Sequence, residues 1–525
     1  MNKAEEGDPL LIRQLMQPAL FDHPVENVRV VETHISWVIL TGSYAYKIKK
    51  PVNLGFLDFS TLEKRHFYCE EELRLNRRLA ADYYLGVVPV TGTVEQPCWG
   101  GSAEAIEYAV KMRQFPQDAQ LDRLLASGKV QPEYLDAFAE LIASFHANIL
   151  VADNSSSYGS AEHVYQPMDG NFSVLEKRLT APELRLLLDS LRQWSRNTFT
   201  HMKALFRQRK EQGFVRECHG DMHLRNMAWI DDRPLVFDCI EFNPELRWID
   251  VISEIAFLVM DLIQRGATEL AWRFLNAYLA HTGDYAGLRL LPFYLTYRAM
   301  VRAKIAAIRQ HQAEVSAAES EEAAQELAGY LRLARQCSQR RKPMLLITRG
   351  LSASGKSTLS SRLLEALGAI RIRSDVERKR LFGLGMDATD RYSFGEGIYS
   401  SDASRKTYAK LLQLAGLILD AGFPVIVDAA FLKAEQCKPF QMLAQSRGLP
   451  YIILELNASP ATLRERIQRR ENDVSDADLE VLERQFQSWE KLGADEQPAA
   501  IAIDTEKTLQ IESLLRQIQR ASSAA

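Results

Sequence analysis

The stretch "CHGDMHLRNMAWIDDRPLVFD", Cys218 to Asp238, decides the fold of the first half of this chain. Its first part carries histidines, an aspartate and an asparagine close together, which could form a metal cluster, a catalytic loop or a polar turn. His219 and His223 are separated by Gly220, and the glutamate of an HExxH helix is missing, so a zinc site is disfavoured. A polar turn without chemistry stays open as an alternative.

The residues after Asn226 read as a strand, a tight turn and a second strand, in "MAWI", "DDRP" and "PLVF". A hairpin centred near residue 232 places Asn226 opposite Asp238. Amide and carboxylate oxygens are hard ligands that suit Mg²⁺ carrying substrate phosphates. The spacing therefore predicts a magnesium site formed by Asn226 and Asp238, with Asp221 close by on the same loop.

This loop resembles the catalytic loop of eukaryotic-type kinases, in which an aspartate accepts the acceptor's proton and an asparagine and a later aspartate bind metal. "HGD" in place of "HRD", and "FDCIEF" in place of a DFG triplet, make it resemble the aminoglycoside/choline phosphotransferase branch, over about residues 28 to 310. The resemblance implies a two-lobed α+β protein-kinase-like domain with catalytic Asp221, metal-binding Asn226 and Asp238, and an orienting His219. A protein kinase is the weaker alternative because the APE signal is also missing.

Residues 28 to 112 hold short segments rich in β-branched and aromatic residues, which predict strands. One helix interrupts them at 61 to 80, where the apolar residues at roughly helical spacing are Phe67, Leu73, Leu75 and Leu79. After Met112 the period becomes helical, in the segments 132–150, 181–206 and about 248–309. A mostly β lobe is thus followed by a mostly α lobe.

The β lobe should supply a lysine that anchors phosphates. "SYAYKIKK" offers Lys47 and Lys49, which share one face of a strand and cannot be separated by pattern. Lys47 follows the apolar "YAY" and resembles the family's strand-three lysine, so it is the chosen residue. Its ion-pair partner is expected in the 61–80 helix. Glu72 is chosen there, with Glu70 and Glu71 as alternatives. All three could instead be ordinary surface charges of a solvated helix.

The alanine- and charge-rich segment 311–341 predicts a helical connector between a domain at 1–310 and a second domain at 342–525. Beyond the connector, strand-like segments such as "MLLIT", "FPVIVDAA" and "PYIILEL" alternate with helical ones. That alternation predicts an α/β P-loop NTPase domain with a parallel sheet wrapped by helices.

The motif GxxxxGKS runs from Gly350 to Ser357, between an apolar strand and an amphipathic helix. Backbone N–H groups of such a loop point at a polyphosphate, and the helix N-terminus adds positive charge. Lys356 would reach the β- and γ-phosphates of ATP, and Ser357 would bind Mg²⁺. The predicted nucleotide-binding residues are Gly350, Ser354, Gly355, Lys356, Ser357 and Thr358. A chance Gly/Ser-rich turn is the alternative.

Four further residues of this half are candidates for chemistry. Asp375 is predicted at the end of a strand, where it could take the acceptor's proton or merely cap a helix. Asp428 ends a buried strand and is predicted to hold Mg²⁺ through water, unless it is only a turn residue. Arg466 and Arg470 share one helical face next to "NDVSDA" and could close on the transferring phosphate, or simply be solvated.

"GLSASGKST", "SDVERKR" and the arginine segment with "DVSDA" resemble the zeta-toxin and polynucleotide-kinase branch of P-loop kinases, over about residues 342 to 510. The resemblance implies ATP, Mg²⁺ and a hydroxyl acceptor. That branch phosphorylates sugars, nucleic-acid ends and amino sugars, so the acceptor does not follow from it.

The composition disfavours several other classes of protein. The 525 residues carry a formal net charge of −4, which gives no basic field of the kind that dominates nucleic-acid binding. The six cysteines stand singly, the N-terminus lacks the features of a secretion signal, and no long apolar run is present. A cytoplasmic protein with small-molecule partners and no membrane contact is expected.

The sequence as a whole predicts a bifunctional ATP-dependent phosphotransferase that acts on small-molecule hydroxyl acceptors through two MgATP sites. The alternatives are a nucleotide-sensing regulatory protein with one inactive kinase domain, and a nucleic-acid end kinase that uses the P-loop domain. The identity of the acceptors and the oligomeric state do not follow from the sequence.

Overall fold

A computed structural model of the protein describes residues 9–25, 27–55, 57–311, 316–386, 398, 400–469 and 479–524. The chain forms two compact units. The first contains the chain up to Ala137, Ser144–Val174 and Arg196–Asp261, and the second contains Phe138–Ala143, Leu175–Ser195 and the chain from Leu262 onward. The domain limits at 310 and 341 stay a prediction.

The first unit contains a six-stranded antiparallel sheet in the order β1-β2-β3-β6-β4-β5. The strands are β1 (Arg29–Glu32), β2 (Ser36–Leu40), β3 (Tyr44–Lys49), β4 (Tyr84–Gly92), β5 (Pro97–Trp99) and β6 (Ala105–Arg113). Five of them coincide with segments predicted from β-branched and aromatic residues, whereas β5, with three residues, was not predicted.

Eight α-helices are described between Leu10 and Gln264, two of them before the last strand of the six-stranded sheet. They are α1 (Leu10–Leu15), α2 (Leu62–Ala80), α3 (Leu121–Ala126), α4 (Pro132–Asn148), α5 (Ala161–Arg178), α6 (Pro182–Glu211), α7 (Pro244–Arg247) and α8 (Val251–Gln264). Together with the antiparallel sheet they confirm the predicted α+β class of this part of the chain.

Helix α2 packs on the sheet and positions the first candidate site. It begins where the Thr61 hydroxyl accepts a hydrogen bond from the Lys64 N–H, a favourable N-cap. Its Cys69 and Leu73 are buried in one core with Val110 of β6. The predicted apolar stripe was wrong at Phe67, whose side chain is 59% exposed, because the buried face of the helix also carries polar residues such as Glu72.

Four short strands frame the central loop of the first unit: β7 (Val215–Glu217), β8 (Met227–Ile230), β9 (Arg233–Val236) and β10 (Trp248–Asp250). Strands β8 and β9 form the predicted antiparallel hairpin, and β10 pairs with β7 immediately before the loop. The hairpin turn consists of Asp231 and Asp232, both with positive φ, as a two-residue type I′ turn requires.

The second unit includes a group of helices that precedes its sheet. These are α9 (Thr268–Thr282), α10 (Leu291–Gln310) and α11 (Ala317–Ser338), with a 3-10 turn at Tyr285–Arg289. Helix α11 begins with a capping box formed by Ser316 and Glu319 and packs along α10.

The sheet of the second unit is fully parallel and has the order β12-β13-β11-β14-β15. The strands are β11 (Leu345–Arg349), β12 (Ile370–Arg373), β13 (Val425–Asp428), β14 (Tyr451–Asn457) and β15 (Ala500–Asp504). The helices are α12 (Lys356–Leu367), α13 (Ser374–Leu381), α14 (Ser401–Asp420), α15 (Ala434–Ser446), α16 (Pro460–Gln468), α17 (Leu479–Ser488) and α18 (Ile511–Ala524). This arrangement confirms the predicted α/β class, and ligands of such sheets bind at the carboxyl ends of the strands.

Candidate active sites

The first candidate site centres on Lys47 of β3. Its ammonium group lies 2.8 Å from Glu72 Oε1 and 2.7 Å from Asp238 Oδ1. Glu72 on α2 is 0% exposed, whereas the Asp238 side chain is 47% exposed. The structure therefore brings together three of the residues predicted from sequence, although they come from three distant parts of the chain.

Lys49, the residue that the strand pattern could not separate from Lys47, lies deeper in the same cluster. Its ammonium group donates to Glu72 Oε2 at 2.7 Å and forms a second ion pair with Glu241. The two lysines thus take one oxygen each of the Glu72 carboxylate. Within this cluster, only Lys47 also contacts Asp238.

The mutual arrangement of these charges fixes their protonation. Burial lowers the pKa of Lys47, but Asp238, Glu72 and Glu241 outweigh it and hold that pKa well above its usual value. The pKa of Lys49 is raised in the same way by Glu241 and Glu72. For Glu72, burial is outweighed by the two lysines and the pKa is lowered. Both ammonium groups are charged and Glu72 is ionised, so Glu72 holds both lysines electrostatically.

Glu254 of α8 holds the backbone of the loop that follows β7. One carboxylate oxygen of Glu254 accepts the His219 N–H, and the other accepts the Gly220 N–H at 2.9 Å. Gly220 has φ 91, and a Cβ there would lie 2.8 Å from the carbonyl oxygen of Leu246. The tight loop therefore requires glycine at this position.

His219 orients this loop through both ring nitrogens. Nδ1 accepts the Asp221 N–H at 3.3 Å, so Nε2 carries the hydrogen and donates to the Phe237 carbonyl oxygen at 2.9 Å. Burial lowers the pKa of His219, which keeps the ring neutral. The histidine thus links the loop to the residue that precedes Asp238.

Asp221 and Asn226 are joined directly. The Asn226 amide group donates to the Asp221 carbonyl oxygen and to its Oδ2, both at 3.0 Å. His223 Nε2 lies 3.3 Å from the same carboxylate oxygen. The Asp221 side chain remains 35% exposed, so its carboxylate is accessible from solvent.

The register of the hairpin differs by one residue from the prediction. Met227 pairs with Val236, and the Phe237 N–H donates to the Asn226 carbonyl oxygen at 3.0 Å, so Asn226 lies opposite Phe237 and not Asp238. The predicted centre was displaced because the turn contains only Asp231 and Asp232. Asp238 follows the strand with φ 64, a left-handed conformation that is strained for a residue with a side chain.

Within the described residues, one group of potential metal ligands is formed by His146, Cys218 and Glu254. Both carboxylate oxygens of Glu254 already accept loop N–H groups, and burial raises the pKa of the Cys218 thiol, which disfavours the thiolate that zinc requires. The donor set of Asn226 and Asp238, with oxygen atoms only and one accessible carboxylate, fits Mg²⁺.

The second candidate site is the loop between β11 and α12. A Cβ on Gly350 would lie 2.5 Å from Ser354 Oγ and 2.8 Å from the Leu456 carbonyl oxygen, so the cradle closes only around glycine. Gly355 has φ 89 at the start of the helix. Lys356 folds back along the loop and donates to the carbonyl oxygens of Gly350 and Leu351 at 2.9 and 2.7 Å. The backbone is shaped as a phosphate-binding loop.

Asp428 ends β13 beside this loop. Its Oδ2 accepts a hydrogen bond from Ser360 Oγ at 2.9 Å, and its Oδ1 lies 3.3 Å from Thr348 Oγ1. Ser357, in the first turn of α12, lines the same cavity. These oxygen atoms fit a hydrated magnesium ion.

A cavity of about 1280 Å³ opens over the phosphate loop within the second unit, and Ser357, Thr358, Asp375, Asp428 and Arg466 all line it. Asp375 lies in the first turn of α13, not at the end of a strand, because β12 already ends at Arg373 and the helix begins at Ser374. The N-cap position of α13 is Arg373, so Asp375 is not the capping residue.

Arg466 of α16 reaches the phosphate loop. Its guanidinium group donates to the Ala353 carbonyl oxygen at 3.3 Å, to Thr505 Oγ1 at 3.0 Å and to the Thr505 carbonyl oxygen at 2.7 Å. Arg470 and the segment "NDVSDA" lie outside the described residues. The structure thus places one of the two predicted arginines at the site.

Several residues that position these sites were not predicted from sequence. They are Tyr84, Glu241, Glu254, Thr348, Ser360, Arg371 and Thr505. Glu241 lies within the quoted "FDCIEF", so an acidic residue shortly after Asp238 was an available signal. The hydroxyl residues carry no such signal because serine and threonine are common on helices and turns.

Comparisons with known proteins agree with the division into two sites. A family model described as Phosphotransferase enzyme family matches residues 68–291, and one described as AAA domain matches residues 345–492. An amicoumacin kinase structure in complex with AMP-PNP, Ca²⁺ and Ami is 14% identical, covering 62% of this chain and 93% of that chain with a TM-score of 0.40. A gluconokinase from Sinorhizobium meliloti is 21% identical, covering 35% and 92% with a TM-score of 0.24.

The fold, the lysine–glutamate pair and the phosphate loop define the class of this protein as an ATP-binding phosphotransferase. An uncharacterized protein of Mycobacterium tuberculosis (strain ATCC 25618 / H37Rv) is 31% identical over 462 residues, which are 87% of this chain and 90% of that protein. The chain belongs to the same family as this mycobacterial protein. Among the described residues, no helix is long and apolar enough to cross a membrane.

Proposed function

We propose that this protein is a bifunctional kinase that transfers phosphate from two separate MgATP sites to hydroxyl groups of small molecules. The observation that carries the proposal is the contact of Lys47 with both Glu72 and Asp238 in one unit, while a second unit holds a complete phosphate loop around Lys356. The predicted division, with one site in residues 1–310 and the other in 342–525, is part of the proposal.

In the first site, Asp221 would accept the proton of the acceptor hydroxyl. The hydroxyl oxygen would then bond to the transferred phosphorus while the bond from that phosphorus to ADP breaks. The Asn226 amide fixes the Asp221 carboxylate at 3.0 Å, and Lys47 anchors the phosphates of ATP. Mg²⁺, when bound by Asn226 and Asp238, neutralises charge on those phosphates. Glu72 keeps Lys47 in place.

In the second site, Lys356 and the N–H groups of the loop would hold the phosphates, with Gly350, Ser354, Gly355 and Thr358 shaping the cradle. Ser357 would bind Mg²⁺ directly, and Asp428 would hold the ion through water. Asp375 is the candidate base, and Arg466, with Arg470, would stabilise charge on the transferring phosphate.

The acceptors are proposed to be small molecules. A formal net charge of −4 argues against a general affinity for nucleic acid. The proposed location is the cytoplasm, where ATP is available and where six unpaired cysteines would stay reduced.

ATP turnover in wild-type protein, Asp221→Ala, Lys356→Ala and the double variant tests the proposal, with a panel of hydroxylated small molecules as acceptors. Each single variant is expected to lose one acceptor-dependent activity and keep the other, and the double variant is expected to lose both. Activity that survives in the double variant would contradict the two-site proposal. Phosphorylation of RNA or DNA 5′ ends that only Lys356→Ala abolishes would support a nucleic-acid end kinase instead.

A further inference from the structure

Helix α9 covers the free edge of the parallel sheet in the second unit. Strand β12 is the edge strand, and the Asn276 side chain bonds to its backbone on both sides. The amide nitrogen of Asn276 donates to the Ala369 carbonyl oxygen at 2.9 Å, and its oxygen accepts the Arg371 N–H at 2.7 Å. These are the bonds that a neighbouring strand would make, so Asn276 takes the place of a strand partner.

Arg371 connects Asn276 to the helix that follows the phosphate loop. Its guanidinium group donates to the Ser357 carbonyl oxygen at 3.2 Å and to Ser361 Oγ at 2.7 Å. Ser357 lies in the first turn of α12, the helix that follows the loop, and is the proposed magnesium ligand. Asn276 is therefore linked to Ser357 through one residue.

A second link starts at the 3-10 turn Tyr285–Arg289. The Tyr285 hydroxyl donates to Glu377 Oε1 at 3.1 Å, and both side chains are almost fully buried. Arg380 forms an ion pair with Glu377 and donates to the Ala280 carbonyl oxygen at the end of α9. Burial and the neighbouring Glu377 carboxylate raise the pKa of Tyr285, so the phenol keeps its hydrogen and remains a donor.

Glu377 and Arg380 belong to α13, the short helix that also carries Asp375. Asp375 and Arg378 line the cavity above the phosphate loop. Because the residues of one helix have a fixed spacing and rotation, fixing Glu377 and Arg380 also fixes the position of the Asp375 backbone beside the cavity. All of these residues lie within the second unit.

We infer that Tyr285 is a positioning residue for the P-loop active site, which holds Asp375 through Glu377, and that Asn276 positions Ser357 through Arg371. The inference rests on the function proposed for that site. Tyr285 and Asn276 lie in the region that the phosphotransferase model matches, residues 68–291, so part of that region serves the other kinase site.

The test uses the full chain with Asp221→Ala, which leaves only the P-loop site active, and ATP with water as the acceptor. Adding Tyr285→Phe removes one hydroxyl from a buried contact. We expect kcat to fall about tenfold, as for one lost hydrogen bond, while KM for ATP stays unchanged because Lys356 is untouched. Amide hydrogen exchange in residues 374–381 should become faster.

Thr296→Val is the matched control, because Thr296 is a buried hydroxyl of α10 that bonds to Pro292 and lies 3.5 Å from the Ala334 oxygen, outside α13. It should leave kcat and the exchange of 374–381 unchanged. Glu377→Gln, which keeps an oxygen for Tyr285, should retain more activity than Glu377→Ala.

The inference is overturned if Tyr285→Phe leaves both kcat and the amide hydrogen exchange of residues 374–381 unchanged. It is also overturned if Thr296→Val lowers kcat as much as Tyr285→Phe does. The proposed function is tested separately. It fails if the Asp221→Ala parent shows no ATP hydrolysis, or if its hydrolysis persists when Lys356→Ala is added. The two failures therefore give different results.

Discussion

Lys49 of β3 is the residue whose removal should cost the most stability in the first site. Its side chain is almost fully buried and forms an ion pair with Glu241, whose carboxylate is also buried. Lys49→Met would leave Glu241 without its cation, and breaking a buried pair in this way costs about 3–5 kcal/mol. Urea denaturation should show this fall in the free energy of unfolding.

Lys64→Met is the control for that loss, because the Lys64–Asp58 ion pair is largely exposed. Exposed pairs contribute about 0–1 kcal/mol. The ion-pair account of the first site would be wrong if Lys49→Met were as stable as Lys64→Met.

Gly350 of the phosphate loop should tolerate no side chain. A Cβ there would meet backbone and side-chain oxygen atoms at 2.8 and 2.5 Å, so the loop must shift. Displacement of a site by about 1 Å can cost about 10²-fold in activity, and Gly350→Ala should lose that much at the P-loop site in the Asp221→Ala chain. Gly385→Ala, where nothing lies within 4 Å, should keep full activity. Equal rates in the two variants would remove the argument for a closed cradle.

In the β8–β9 hairpin, candidate residues flank the end opposite the turn: Asn226 directly precedes β8, and Asp238 lies two residues after β9. Its turn residue Asp232 has φ 57, which proline, with φ near −65°, is unable to adopt. Asp232→Pro should therefore destabilise the protein by more than about 1 kcal/mol and lower the activity of the first site. Thermal unfolding and acceptor-dependent ATP turnover would measure the two effects.

Asp232→Asn is the matched variant, because asparagine accepts positive φ readily. It should retain both stability and activity. Proline and asparagine variants with the same unfolding temperature would show that the turn does not fix the hairpin.

The hairpin also shows how far the sequence leads. Short apolar runs on either side of the turn-like "DDRP" were enough to predict two strands and a turn, but not which residues form the turn. The register therefore came out one residue from the prediction at Asp238. Phe67 illustrates the same limit. Helical spacing shows which residues share a face of α2, but packing against β6 decides which side chains are buried, and the spacing holds no information about that packing.

At the scale of the whole molecule, the motifs that bind phosphate could be predicted because their chemistry is local. Gly350 to Ser357 are contiguous, and Asp221 and Asn226 are five residues apart. Contacts between distant residues could not be predicted from spacing alone. Lys47 and Asp238 are 191 residues apart, and Asn276 and Arg371 are 95 apart, so no spacing rule relates them. Lys47 was chosen over Lys49 by resemblance, and the structure shows that both reach Glu72.

The most direct test of the central claim is the stoichiometry of nucleotide binding by the full chain, measured by calorimetry with AMP-PNP and Mg²⁺. We expect two sites per chain in the wild type, one in Lys47→Met, one in Lys356→Ala and none in the double variant. A single site in the wild type, lost on Lys356→Ala and unaffected by Lys47→Met, would contradict it.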